Sequence, residues 1–198
     1  GASRNDELQH RREMEKALDM SFGLLPFGLY GGAFLVAVFA PIAFPSEYFD
    51  STYGASAVDL FYVLLFGWAM TLMATPTYTA VMAGPNPWRF TQFIVLVLAV
   101  AVVLGGLFIL TVPSSASQRL YGAALASSMT AFFLLLFSWA MSGSMKQVTQ
   151  RRDDWLLMLL CTTFAVIGFV THTYWWIFGL PLFMFAPPGL KAMCSTLG

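Results

Sequence analysis

Charged residues fall in short blocks along this chain, separated by long uncharged stretches. Phe22 to Phe44 carries no charge over 23 residues, and a membrane crossing needs about 20. Similar stretches follow, and their polar punctuation predicts five transmembrane helices at about 22–44, 57–75, 90–112, 120–142 and 155–178. The fold class expected is all-α and polytopic. Residues 1–21 form a polar arm, 22–188 the transmembrane domain and 189–198 a C-terminal tail. Met14, Leu18 and Ala17 share one side at helical spacing, so the arm reads as a short surface-lying helix suited to docking.

The second crossing lacks a clean end. Hydropathy alone carries it to Ala83, but Thr75-Pro76-Thr77-Tyr78-Thr79 interrupts the pattern. An internal repeat bears on this boundary. Leu64-Leu65-Phe66-Gly67-Trp68-Ala69-Met70 returns as Leu135-Leu136-Phe137-Ser138-Trp139-Ala140-Met141, an offset of 71 residues. Self-similarity of this kind takes precedence in any fold reading. It maps Thr75 onto Lys146, which must leave the lipid core, and so predicts a helix end near Thr75 with a loop over 76–89. It also predicts that helices two and three, then four and five, form two hairpins in parallel repeat. Whether the fifth helix continues past Pro181 is open.

Composition agrees with lipid as solvent. Hydrophobic residues make up 58% of the 198 and charged ones 10%, against about 25% in ordinary soluble domains. Mean hydropathy is +0.71. Net charge is zero, so nothing points to nucleic acid. With five crossings, Arg4, Arg11, Arg12, Lys16, Arg89, Lys146, Arg151 and Arg152 share the N-terminal side, and only Arg119 and Lys191 fall opposite. The positive-inside rule then puts the N-terminus in cytoplasm, matrix or stroma.

The loop Ser46-Glu47-Tyr48-Phe49-Asp50-Ser51 resembles a loop of cytochrome oxidase subunit III over those six residues. The histidine-rich helices which that resemblance implies are absent from the residues that follow.

Candidate chemistry is sparse. Ionisable groups inside a membrane are costly and so mark function, yet none stands within the five predicted cores. Asp59 falls in the first turn of the second helix, where an acid suits the dipole; it is also the start of any polar path. His172, beside Tyr174, Trp175 and Trp176, is the one candidate ligand for haem or pigment, and an interfacial histidine reads equally from the same residues. Cys161 and Cys194 stand in different settings and make no disulfide framework. No metal site, nucleophile motif or phosphate loop is present.

Small residues are plentiful, at spacings that bring helices close: Gly28 and Gly32, Ala101 and Gly105, Gly122 and Ala126. Trp68 and Trp139, mid-helix in the repeated segment, read as equivalent packing knobs, or as an aromatic lining for a lipid, quinone or pigment. The expected function is non-catalytic: an accessory subunit contacting other membrane subunits and lipids, in an energy-converting membrane such as the mitochondrial inner membrane. The rival classes are a small transporter or channel framed by the repeat, and a haem- or pigment-binding protein using His172.

Overall fold

A computed structural model describes residues 2–46, 57–82, 87–111 and 116–170. Among these residues every regular element is helical. The elements are α1 (Ala2–Pro26), a π-helical turn (Phe27–Gly31), α2 (Gly32–Ala43), α3 (Ala57–Met82), α4 (Pro87–Thr111), α5 (Ala116–Met141), α6 (Met145–Gln150) and α7 (Arg152–Val170). Among the described residues four stretches are long and apolar enough to cross a membrane: Arg12–Ala43, Asp59–Thr79, Trp88–Thr111 and Gln118–Met141. The chain is therefore read as an integral membrane protein. The predicted fifth crossing, 155–178, overlaps α7 over 155–170, and 171–178 lie outside the described residues.

The arm is not a separate surface helix. α1 runs through it, and α1, the π turn and α2 follow without a break. The stretch Arg12–Ala43 has 32 residues, about 48 Å of helix against a hydrocarbon core of about 30 Å, so the first turns project beyond the lipid. The weak stripe of the arm is consumed inside the chain. Met14 and Leu18 are buried, and Ser21, Phe22 and Leu25 continue the stripe. Leu18, Phe22 and Leu25 share one core with Trp139, Val148, Leu157 and Met158. Pro26 has no N–H to give, and the helix widens into the π turn directly after it.

The second crossing continues through Pro76 to Met82, not to Thr75. The hydroxyls flanking Pro76 all bond backbone carbonyls of their own helix. Thr75 donates to Thr71 O at 2.9 Å, Thr77 to Ala74 O at 3.0 Å and Thr79 to Pro76 O at 2.8 Å. Thr77 also meets Ser138 Oγ of α5 at 2.9 Å, and Tyr78 rests on Phe90 and Phe93 of α4. The repeat misleads at this end for a definable reason. α5 stops because Gly143 adopts φ +74, with Ser144 N–H donating to Trp139 O and Gly143 N–H to Ala140 O. That is a Schellman stop, which favours glycine. The first copy has Leu72 at the corresponding place and runs on.

Contacts set the directions. Gly28 faces Ala69 and Gly32 faces Leu65, so α3 is antiparallel to the first helix. Asp59 meets Tyr121 and Thr77 meets Ser138, so α3 and α5 are parallel. Asp19 meets Arg151 and Tyr30 meets Cys161 O, so α7 is parallel to α1. Arg12, Lys16, Arg89, Lys146, Arg151 and Arg152 thus gather at one end of the bundle, with Arg119 at the other.

Residues paired across α3 and α5 are about 61 apart in sequence, while the repeat offset is 71. The two copies therefore stand about ten residues, or about 15 Å, out of register along the bundle. They do not occupy equivalent depths.

Candidate functional site

The helix-packing faces predicted from small residues divide into two kinds. Gly28 and Gly32 are tight. A Cβ on Gly28 would lie 2.7 Å from Ala69 Cα, and one on Gly32 would lie 2.1 Å from Leu65 Cδ2 and 3.0 Å from Trp68 Cζ3. Gly67 of α3 does the same against α5, at 2.8 Å from Ser128 Cα. There Ser128 Oγ donates to Val63 O across the helices at 2.7 Å. Small-residue spacing in the sequence does not mark position 67 as a packing face. The available signal was its replacement by Ser138 in the second copy.

Gly105 is the opposite case. Among the described residues nothing lies within 4 Å of a Cβ built there or on Gly106, so they make no close approach at this face. Ala101 and Gly105 instead line an open groove between α4 and α5, about 460 Å³, whose far wall includes Ala126 and Thr130. Gly122 and Ala126 are themselves buried on α5. α4 packs on α5 and touches α3 little, so among the described residues its small residues meet no second helix closely.

Trp68 and Trp139 are not equivalent. Trp139 is fully buried, stacked on Phe22 at 5.6 Å and edge-on to Trp155 at 5.9 Å. Trp68 is 46% exposed on the outer surface of α3. The ten-residue slip puts one at the charged end of the bundle and the other nearer mid-depth. They therefore line no common cavity. Trp139 Nε1 is buried without a hydrogen-bond partner among the described residues.

Hydroxyl groups in the helices mostly bond their own backbone. Thr71 donates to Gly67 O at 2.9 Å, Thr130 to Ala126 O at 2.8 Å and Thr162 to Met158 O at 2.7 Å. Asp59 sits half-buried in the first turn of α3 and accepts a long hydrogen bond, 3.4 Å, from Tyr121 OH. Thr77 and Ser138 are at the other end of α3, about 27 Å away. Asp59 and these hydroxyls are not brought together. His172 lies outside the described residues.

At the charged end, Arg151 holds the arm. Its guanidinium pairs with Asp19, reaches Asp154 at 3.2 Å and donates to Glu15 O at 3.4 Å. Partial burial pulls the Arg151 pKa down, and the bond and charge of Asp19, with Asp154, more than reverse this. The net shift is upward.

A second cleft lies between the π turn, α3, α5 and α7. Leu29, Phe66, Leu125 and Ala165 line it, and it holds about 240 Å³.

No protein-family model matches this chain, and neither a curated protein nor a solved structure matches it.

Proposed function

We propose that this chain is a non-catalytic accessory subunit of a larger integral-membrane complex, crossing the bilayer five times with its N-terminus on the positive side. One observation carries the reading. Only 6% of the most apolar stretch of α4 is buried, against 39% for α3, and the groove beside it is paved with small residues and open space. A helix this apolar and this bare offers a neighbouring helix close backbone approach, which is how membrane helices associate without a hydrophobic drive. The direction of α7 supports the fifth crossing, since it pairs parallel with α1 as an odd-numbered span must. The clustering of six basic residues at one end supports the orientation.

The test is extraction of the tagged chain from its own membrane in mild detergent. Fixed partners in constant stoichiometry are expected. A chain that leaves the membrane alone, and then supports flux in liposomes that Asp59→Asn abolishes, would sink the reading in favour of a transporter.

A further inference from the structure

We propose that the cleft between the π turn, α3, α5 and α7 holds one acyl chain of a membrane phospholipid. Its volume, about 240 Å³, exceeds the roughly 150 Å³ at which an apolar cavity takes a benzene ring and stays dry. Water has nothing to hold it there. Ser128 Oγ is spent on Val63 O and Thr162 Oγ1 on Met158 O, and the rest of the wall is almost wholly carbon. A buried water needs two to four polar partners.

The occupant is chosen by where the cleft opens. Leu125, Met129 and Val166 stand at its rim and are 43%, 37% and 52% exposed. All three lie within apolar helical stretches, so the cleft is continuous with the surface that meets bilayer hydrocarbon. A linear chain can enter from that side without desolvating a polar group. The π turn supplies an independent pointer. Leu29, at its centre, forms part of the wall, and the adjacent Tyr30 ties the turn to α7 by donating to Cys161 O at 2.7 Å. Single π turns inside α-helices recur at functional sites, where they re-aim side chains. The cleft does not involve Trp68 or Trp139 and does not depend on the accessory-subunit reading.

The experiment uses the full chain in vesicles of phosphatidylcholine doped with phosphatidylcholine bearing a photoreactive diazirine in one acyl chain. Labelled residues are mapped by mass spectrometry. Labelling at Leu125, Met129 and Val166 is expected to exceed that at the more exposed Val102 and Leu110 of α4 several-fold. Ala165→Phe fills the cleft from within. Met129→Trp blocks it at the surface, where a large side chain spares the fold. Each is expected to bring labelling at Leu125 and Val166 down to the α4 level and leave α4 unchanged. Even labelling over all exposed positions, or cleft labelling that survives both substitutions, overturns the proposal. Displacement of the label by a free isoprenoid alcohol more readily than by added phosphatidylcholine overturns the choice of occupant.

Discussion

Helices α3 and α4 are neighbours in sequence, both long enough to cross a bilayer, and they are used in opposite ways. α3 is pinned on two sides: Gly28 and Gly32 press on it from the first helix, and its own Gly67 presses on Ser128 of α5. α4 has the higher hydropathy, 3.2 against 1.4, yet among the described residues only 6% of its apolar stretch is fully buried. Hydropathy therefore ranks how readily a helix enters lipid. It does not rank how much of that helix the rest of the chain covers. Small residues decide the second matter, and only when a partner surface stands opposite.

The largest expected effect contrasts the two copies of the repeated tryptophan. Trp139→Ala empties a stacked, fully buried site and should cost about 3–5 kcal/mol. Trp68→Ala at the outer face should cost about 1 kcal/mol. Unfolding in mixed micelles, followed by circular dichroism, compares them; equal losses would restore the equivalence that the register denies.

Next is the glycine contrast. Gly28→Leu forces a side chain into Ala69 and should cost about 1–3 kcal/mol or more, by the same measurement. Gly105→Leu meets open space among the described residues and should change stability by less than about 0.5 kcal/mol. A smaller effect is expected at the charged end. Arg151→Ala should cost about 1 kcal/mol and speed proteolysis of the arm, because it frees Asp19 and Glu15 O together. A cleavage rate unchanged from the parent chain would mean that the apolar stripe of Met14 and Leu18 holds the arm unaided.

Much of this fold is legible in the sequence. Uncharged stretches locate the helices, and the spacing of Gly28 and Gly32 puts both glycines on one face, where a Cβ on either would run into α3. What is not legible is tertiary. Pro76 looks like a stop because the sequence does not display Thr77 bonded to Ser138, which holds that turn against α5. Copying the end of α5 onto α3 fails at Leu72, where the glycine that stops α5 is missing. The repeat identifies related segments but carries no information about depth, so Trp68 and Trp139 look alike in sequence and differ wholly in burial. Gly105 shows the same gap from the other side: small-residue spacing marks a surface able to pack, and the described residues leave that one open.

The accessory-subunit account depends on the groove at Gly105, between α4 and α5, being filled by a helix of another subunit. Native mass measurement of the parent chain and Gly105→Leu, each extracted from its own membrane in mild detergent, tests this most directly. The account predicts a large complex for the parent chain and release of a folded single chain by the substitution. A parent chain that runs alone, or a Gly105→Leu chain that stays in the same complex, would contradict it.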